Sequence, residues 1–293
     1  MLDFIVNPTA GSNFGKKMNK IVEKLQTRLS ERKIDGAFHF TEYPHHATEL
    51  TKNLIENGAT DIIVVGGDGS LHEVINGFSN FDKVALGIIP CGTGNDFACA
   101  LNLPLNAEDA LDLIIDNQPK YTDFIQMPTV RGLNIVGMGM DVEVLRKYEK
   151  LKKKTQFGYT KCLIDTLFTY NCIQFDAQLD GENKSLTSYI ACIANGHRYG
   201  GGIPICPNAD PTDKTLDFLA VGGMSKFALI GAFIKLKGGK IMKVKNTFHT
   251  PCKHVKICAP HPYTVNVDGE LYDDIPFEVS IVSDTLRVYR KDK

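Results

Sequence analysis

The 293-residue sequence contains no tryptophan and has almost no net charge, since 33 lysines and arginines stand against 34 aspartates and glutamates. This balance excludes a protein held on nucleic acid by bulk charge, and we predict no nucleic acid partner. The eight cysteines show no C-x-x-C spacing, which argues against a structural zinc site. The start, MLDFIVNP, lacks the basic and apolar regions of a signal peptide. These absences predict a reduced, cytoplasmic protein.

Long hydrophobic runs are missing as well. No uninterrupted apolar stretch approaches the ~18 residues that a membrane-spanning helix needs, so contact with a membrane is expected from its surface. Hydrophobic residues nevertheless make up 43% of the chain, enough for a sizeable core. At about 150 residues per domain, the length favours two domains over one large domain.

The first 124 residues alternate strand-like and helix-like patterns. Apolar runs at 2–6, 61–65 and 84–89 are each followed by a segment with helical character. Runs such as IIVV are apolar at every position, which is typical of a parallel sheet covered by helices on both faces. This part is predicted to be an α/β domain.

From about residue 126 the pattern changes to longer strand-like stretches such as SYIACIAN and FEVSIV. Two helical segments, at about 142–170 and 225–236, interrupt them. The rest of the chain is therefore predicted to be a second, mainly antiparallel domain. The final stretch, TLRVYR, is another strand, and the pattern does not assign it to either domain.

The strongest local signal for chemistry is Gly66-Gly67-Asp68-Gly69-Ser70, between the strand DIIVV and a helix. Glycines in such a turn let backbone N–H groups approach phosphate oxygens, and the helix N-terminus adds a positive dipole end. A carboxylate beside a phosphate is tolerable only with a cation between them. Asp68 is therefore predicted to be a ligand of Mg²⁺ that serves the metal rather than the core. A plain tight turn between strand and helix is the alternative.

A second glycine-rich turn, PCGTGNDF at 90–97, follows the next strand and precedes another helix. In a parallel sheet such turns emerge at the same carboxyl edge, where ligands of open α/β sheets bind. NPTAG at 7–11 follows the first strand in the same way. The alternative is that Asn95 or Asp96 is simply a helix N-cap. Neither turn has the residues of a P-loop or of a Rossmann fingerprint.

With these motifs the chain resembles the bacterial lipid kinases of the diacylglycerol kinase catalytic-domain type, a family that also contains sphingosine and ceramide kinases. The matching motifs occur in family order over nearly the whole length: NPTAG at 7–11, VVGGDGSLHEVINGF at 64–78, IPCGTGNDFA at 89–98, GMGMD at 137–141, ANGHRYGGG at 194–202, PNADPTDKTLD at 207–217 and VDGE at 267–270. The resemblance implies an α/β ATP-binding domain at 1–124 and 284–293, which includes the last strand. It also implies a β-sandwich lipid domain at 125–283, with ATP and substrate in the cleft between the two.

The resemblance implies residue roles as well. Asp68, Asp96 and Asp123 would form the carboxylate network that holds the catalytic Mg²⁺. Glu270 matches the general base, which accepts the proton of the lipid hydroxyl as that hydroxyl takes the γ-phosphoryl group. Taken alone, DGE is typical of an ordinary hairpin turn followed by a solvated acid. The residues that would line the ATP site are Asn7, Pro8, Thr9, Ala10, Gly11, Thr41, Gly66, Gly67, Asp68, Gly69, Ser70, Leu71, His72 and Thr93.

One segment departs from the family's pattern, P-x-A-x-x-D-D-G-x-L-D. Here Thr212 replaces an acid and Lys214 replaces a glycine. By the resemblance, Asp213 still holds a structural Mg²⁺ together with carbonyls at Asp210 and Thr215. The carboxylate missing at Thr212 is assigned to catalysis in some members, which keeps open a protein with weak or lost activity.

Two basic stretches bear on membrane access: RKYEKLKKK at 146–154 and KLKGGKIMKVK at 235–245. At about 1 kcal/mol per lysine or arginine near an anionic surface, either stretch is able to dock the protein on lipid headgroups. Solvated faces of the protein are the alternative.

The sequence therefore predicts an ATP- and Mg²⁺-dependent lipid kinase of phospholipid metabolism, acting on diacylglycerol or a related lipid at the inner face of the membrane. An enzyme of the NAD-kinase type shares GGDG and is one alternative, against which PCGTGNDFA argues. A nucleotide- or lipid-binding protein without catalysis is the other. Neither the particular lipid nor the oligomeric state is predicted.

Overall fold

The computed structural model describes residues 1–11, 15–151, 155–260 and 263–291. The chain divides into two compact units, and each is described by itself. The first unit comprises Met1–Asp123 and Ser283–Lys293, and the second comprises Phe124–Val282.

The first unit is built on a parallel sheet. Its strands are β1 (Leu2–Val6), β2 (Gly36–Phe40), β3 (Asp61–Gly66) and β4 (Ala85–Pro90). β1 pairs with both β2 and β3, and β3 pairs with β4, all in parallel. The helices between and after these strands are α1 (Lys16–Arg32), α2 (His46–Glu56), α3 (Asp68–Gly77), α4 (Asp96–Ala100) and α5 (Ala107–Asp116). The predicted parallel α/β arrangement is confirmed.

The core of this unit follows from the apolar pattern of its elements. The four consecutive apolar residues of β3, 62–65, are all buried, as a strand covered on both faces requires. Met18, Val22 and Leu25 recur at helical spacing on α1 and pack with Phe4 and Ile63 of the sheet. The sheet edge that carries the glycine-rich turns is thus supported by a well-packed layer.

The second unit is mainly antiparallel. Its strands begin within β5 (Pro119–Gln126) and continue with β6 (Arg131–Gly132), β7 (Ile135–Gly139), β8 (Ile173–Leu179), β9 (Glu182–Ala194), β10 (Leu216–Gly222), β11 (Thr247–Cys252), β12 (His254–Cys258), β13 (Thr264–Val267) and β14 (Glu270–Asp273). β9 pairs with β7, β8 and β10, and further antiparallel pairs join β10 to β11, β8 to β12 and β13 to β7 and β14.

Helices interrupt this sheet at two points, as predicted. α6 (Met140–Glu149) and α7 (Gln156–Thr169) lie between β7 and β8, and α8 (Lys226–Lys237) lies between β10 and β11. Both faces of the second half of β9, residues 188–194, are buried: Ile190 and Cys192 pack with the helices, whereas Ala191 and Ile193 belong to a separate apolar cluster. Burial on both faces explains why this half of the antiparallel strand lacks the usual alternation with polar residues.

The last strand, β15 (Glu278–Tyr289), contributes to both units. Its first half is antiparallel to β12, with Val255 opposite Val279. Its second half is parallel to β4, with Val288 opposite Leu86. Among the described residues, no helix is both long enough and apolar enough to cross a membrane.

Candidate active site

The turns singled out in the sequence leave the parallel sheet of the first unit at one level. Gly66 at the end of β3 is in register with Pro90 at the end of β4. The Cys91 N–H donates to the Gly66 carbonyl at 2.7 Å, and the Asn7 N–H donates to the Val65 carbonyl at 3.1 Å. These bonds hold the starts of the three turns at the carboxyl edge, where open α/β sheets bind ligands.

The two glycine-rich turns are in direct backbone contact. A Cβ added at Gly67 would lie 2.8 Å from the Gly92 Cα, and one added at Gly92 would lie 2.5 Å from the Gly67 Cα. Such distances are too short for any side chain. Glycine is therefore required at both positions because the two loops touch.

Asn7 links the first turn to the second. Its Nδ2 donates to Ser70 Oγ at 3.0 Å, while its Oδ1 accepts from the N–H of Thr9 at 2.9 Å and from the Thr9 hydroxyl at 2.8 Å. Farther along this turn, Gly11 has a positive φ of 81°, and a Cβ there would lie 2.7 Å from the Cys91 carbonyl oxygen. All three predicted loops are thus packed together.

The carboxylate of Asp68 has a structural contact that the sequence did not indicate. It accepts from the backbone N–H groups of Asp96 at 3.2 Å and Phe97 at 3.3 Å, in the first turn of α4. Asn95 occupies the N-cap position, but its Oδ1 instead accepts from the Gly92 N–H at 2.8 Å and closes the second turn. Asp68 therefore caps a helix from another loop, in addition to any role toward a metal.

The other predicted residues of the first unit differ in exposure. Thr93 is exposed and Thr41 is half-buried, with its N–H donating to the Val6 carbonyl at 2.9 Å. Leu71 and His72 of α3 are buried, and the Leu71 N–H donates to the Gly67 carbonyl at 3.1 Å. Asp96 at the start of α4 and Asp123 on β5 are also buried.

In the second unit, Glu270 begins β14 directly after a tight hairpin turn and is exposed. The turn residues Asp268 and Gly269 have φ values of 53° and 99°, as hairpins of this kind require. Asp180-Gly181-Glu182 forms the same kind of turn between β8 and β9, with φ values of 48° and 91°. The motif DGE therefore specifies a hairpin at both positions, and among the described residues Glu182 differs from Glu270 in forming an ion pair with Lys184 at 3.4 Å.

Asp268 fixes its hairpin through backbone contacts that are distant in sequence. Its carboxylate accepts from the N–H groups of Leu133 at 2.5 Å, Asn134 at 2.9 Å and Ile135 at 2.9 Å. Its own N–H donates to the Ile135 carbonyl at 3.0 Å. Charge-assisted bonds of this kind hold Glu270 at a defined place at the start of β14.

A buried acid supports the same hairpin. Asp141, at the start of α6, accepts from Asn266 Nδ2 at 3.1 Å, and Asn266 Oδ1 in turn accepts from the Gly269 N–H at 2.8 Å. Burial raises the pKa of Asp141 to about 6, although the bond from Asn266 favours the charged form. GMGMD is recognisable as a motif, but nothing in its pattern predicts that its acid is buried.

The segment at 207–217 that departs from the family's pattern forms a loop in which two aspartates each accept from the N–H and the hydroxyl of the threonine two residues later. Asp213 Oδ1 accepts from the Thr215 N–H at 2.9 Å and hydroxyl at 2.8 Å, and the Thr212 hydroxyl donates to Asp210 Oδ1 at 2.7 Å. Lys214 has a positive φ of 65° at the position where the family's pattern has glycine. The loop thus keeps a backbone conformation that suits glycine even though glycine is absent.

Cys206 and Asp217, at the two ends of this loop, lie close to His249. Asp217 Oδ1 and His249 Nε2 are 2.5 Å apart, and the Cys206 thiol lies within 4.8 Å of both. Burial raises the pKa of the Cys206 thiol well above its ordinary value. Cysteine, aspartate and histidine are all possible metal ligands, but a direct bond between Asp217 and His249 already accounts for their approach. No sequence motif marks this trio, because pairing of β10 with β11 brings His249 in.

The structure describes the first of the predicted basic stretches in part and the second completely. In the first, Arg146 donates to Thr264 Oγ1 at 2.6 Å, while Lys152, Lys153 and Lys154 lie outside the described residues. In the second, Lys235 Nζ donates to the Lys243 carbonyl at 2.8 Å.

The fold and the packed turns define a class: a protein of two units, a parallel α/β part that carries paired glycine-rich turns and a mainly antiparallel part. Comparison with known families bears this out. Residues 2–127 match the diacylglycerol kinase catalytic domain, and residues 134–290 match the YegS C-terminal NAD kinase beta sandwich-like domain. The chain belongs to the diacylglycerol kinase-like family of lipid kinases. The predicted resemblance and the predicted fold class, including the β-sandwich, are confirmed.

Individual relatives match along nearly the whole chain. "Putative lipid kinase YtlR" of Bacillus subtilis (strain 168) is 26% identical, with 97% of this chain and 98% of the relative covered. A "Diacylglycerol kinase" of Mycobacterium tuberculosis (strain CDC 1551 / Oshkosh) is 28% identical over 90% of this chain and 87% of the relative. A crystal structure of a "putative diacylglycerol kinase" from Bacillus anthracis str. Sterne superposes with a TM-score of 0.83 at 26% identity, covering 99% of this chain and 95% of that one.

Proposed function

We propose that the protein is a Mg²⁺-dependent kinase that transfers the γ-phosphoryl group of ATP to a hydroxyl of diacylglycerol or a related lipid. Family membership and a relative named diacylglycerol kinase support this activity. The observation that carries the proposal is the contact between Gly67 and Gly92, with the Asp68 carboxylate beside it. Backbone-lined turns at helix N-termini on the carboxyl edge of a parallel sheet are suited to hold phosphates.

In this proposal the ATP site is formed by the turns at 7–11 and 66–72 together with Thr41 and Thr93. Residues 1–124 and 284–293 would form the ATP-binding domain, and residues 125–283 would form the lipid domain. Small residues in the two contacting turns keep side chains out of the space beside the backbone, so that N–H groups are able to approach an anion.

We further propose that Asp68, Asp96 and Asp123 hold the catalytic Mg²⁺, directly or through water. Carboxylate oxygens are the donors that Mg²⁺ prefers, so the donor set fits. The Asp68 oxygens accept from two backbone N–H groups, and a carboxylate oxygen has more than one lone pair, so these bonds do not in themselves prevent metal ligation. When bound, Mg²⁺ would neutralise negative charge on the transferring phosphate.

For the structural Mg²⁺ we propose Asp213 with the carbonyls of Asp210 and Thr215. The Asp213 carboxylate is exposed, and its bonds from Thr215 orient it. The Asp210 carbonyl accepts from the N–H groups of Thr212 at 2.7 Å and of Asp213 at 3.2 Å. Because a carbonyl oxygen has two lone pairs, ligation of Mg²⁺ there requires the turn to give up one of these bonds.

Glu270 is proposed as the general base. The bonds to Asp268 fix the hairpin that carries it, and an exposed carboxylate is able to accept the proton that the lipid hydroxyl loses. The lipid substrate places the reaction at a membrane surface, and we propose peripheral contact from the cytoplasmic side.

Asp68 variants test the metal assignment. Asp68→Asn keeps an acceptor oxygen for the N-terminus of α4 but loses the charge that a metal needs, whereas Asp68→Ala loses both. We expect both variants to lower the phosphorylation rate by orders of magnitude, with a clear loss of melting temperature only for Asp68→Ala. A normal rate for Asp68→Asn at saturating Mg²⁺ contradicts the assignment.

The same assay, with ATP consumption measured against a lipid panel and NAD, tests the activity and the base. Glu270→Gln should lower the rate about 10²–10⁴-fold while ATP still binds, and Glu182→Gln, in the matching hairpin, should not. NAD as the sole acceptor would identify an NAD-kinase-type enzyme instead. ATP binding without phosphorylation of any lipid would favour a binding protein, the reading that Thr212 keeps open.

A further inference from the structure

Helix α8 is apolar on two opposite sides. On its inner side, Leu229 and Leu236 are buried in the apolar core of the second unit. On its outer side, Phe227 is 87% exposed and Ile234 66% exposed, with Ile230 partly exposed between them. Positions i, i+3 and i+7 form one stripe on a helix. A soluble surface helix normally carries polar residues on that side, so the stripe points to an apolar partner.

The sequence around this stripe has an unusual charge. From residue 218 to residue 267 there are eight lysines and no aspartate or glutamate. The lysines at 235, 237, 240, 243 and 245, in and after the last turn of α8, are all exposed. An apolar stripe beside lysines that reach outward is the composition of a helix lying in the interface of an anionic membrane.

Helix α7 extends the apolar surface. Phe157, Ile164 and Phe168 are exposed on it, and their spacing again places them on one side of the helix. Phe157 at its start and Lys237 at the end of α8 line the same surface cavity, of about 430 Å³. The two helices therefore bring exposed aromatic and cationic groups together within the second unit.

The lysines beside the stripe favour a membrane over a second copy of this chain as its apolar partner. A second copy of this chain that packed symmetrically on the stripe would bring the same lysines face to face, and like charges at an interface are unfavourable. An anionic bilayer offers both an apolar layer for the stripe and phosphates for the lysines.

We propose that α8 docks the protein on bilayers that contain anionic phospholipid, with Phe227, Ile230 and Ile234 at the boundary of headgroups and acyl chains. The lysines after the stripe then contact headgroup phosphates. This inference rests on the proposed function, since it describes how a kinase would reach a lipid in a membrane.

The test measures binding to vesicles of phosphatidylcholine with and without phosphatidylglycerol. The double variant Phe227→Ser, Ile234→Ser should lower binding to the mixed vesicles about tenfold or more. The double variant Lys240→Gln, Lys243→Gln should remove the preference for phosphatidylglycerol. As a matched control, Tyr121→Ser changes an exposed aromatic residue of the first unit and should bind like the wild type.

Activity separates this inference from the proposed function. A soluble short-chain diacylglycerol should be phosphorylated equally by the wild type and by the Phe227→Ser, Ile234→Ser variant, while phosphorylation of vesicle-embedded lipid should fall. If no lipid is phosphorylated but vesicle binding is lost in the variant, the docking inference stands and the kinase proposal fails. Unchanged vesicle binding overturns the inference, as does a dimer in sedimentation that the variant dissociates.

Discussion

The turns of the two units are held against neighbouring backbone in different ways. In the first unit, Gly67 and Gly92 let two loops touch backbone to backbone. In the second unit, aspartates with positive φ close the hairpins, and their carboxylates accept N–H groups of neighbouring segments: Asp180 accepts from Lys253 and His254, and Asp268 from residues 133–135. In the proposed function the glycine turns present backbone donors to a phosphate, whereas the aspartate turns use backbone donors for the fold itself.

Asp68 lies in a glycine-rich turn of the first unit but makes the kind of carboxylate contact found in the aspartate turns of the second. It is the acid of the first glycine-rich turn, and its carboxylate caps α4 as the aspartates of the second unit hold their neighbours. In the proposed function the same carboxylate would also ligate Mg²⁺, so that one acid would serve both the fold and the ligand.

The largest effect is expected from removing the aspartate with the most backbone bonds. Asp268→Ala leaves three N–H groups without their acceptor and should lower the free energy of unfolding by about 3 kcal/mol. Urea unfolding measures the loss. Asp180→Ala removes two such contacts in the matching hairpin and should cost less. Equal losses in the two variants would contradict the view that carboxylate bonds, rather than the turn conformation, stabilise these hairpins.

A smaller loss is expected where glycine is replaced in the first unit. Gly67→Ala forces the two loops apart and should cost about 2–3 kcal/mol, comparable to overpacking a core. It should also lower the kinase rate, since the loop positions change. Gly231→Ala on α8 is the control: a Cβ there would meet no described atom within 4 Å, so helix propensity should raise stability by up to about 1 kcal/mol. A melting temperature for Gly67→Ala equal to that of the wild type would refute the contact.

Asp141 predicts a pH-dependent effect in the second unit. Because burial raises its pKa from 3.8 to about 6, the folded protein holds this proton where the unfolded chain has released it. The contribution of this proton to the stability of the fold is fully present below about pH 4 and is lost as pH rises through about 6. Asp141→Asn does not titrate, so the variant should be more stable than the wild type by about 3 kcal/mol at pH 8 and about equal to it at pH 4. A constant difference across this range, measured by urea unfolding, would exclude the titration.

The smallest effect concerns a turn that lacks glycine. Lys214→Gly removes the strain of a side chain on a left-handed backbone but makes the unfolded chain more flexible. The free energy of unfolding should rise by about 0.5 kcal/mol on balance. Lys184→Gly, within β9, should instead destabilise. Thermal unfolding compares the two variants, and a loss in both would show that the loop at 214 is not strained.

Much of the fold follows from local pattern. The stretch 62–65 of β3 and the stretch 189–194 of β9 are apolar throughout, and periodicity locates α1, because burial dictates these patterns. The nearness of the glycine turns also follows, since parallel strands end at one edge. The assigned roles of these turns and of Glu270 stay predictions.

Contacts between segments that are distant along the chain could not be predicted from the sequence. The capping of α4 by Asp68 and the bonds from residues 133–135 to Asp268 join segments whose approach depends on the complete sheet. The exposed stripe of α8 is another case, because a helix apolar on all sides has the pattern of a buried one.

The shared strand β15 has a consequence for biosynthesis. Leu286 and Val288 are fully buried in the first unit, beside β4. The ribosome makes them more than 160 residues after Asp123, which takes on the order of ten to thirty seconds at about 5–20 residues per second. Throughout that interval β4 has an open edge, which is a site for wrong pairing. The nascent chain therefore needs protection that the finished protein supplies with its own last strand.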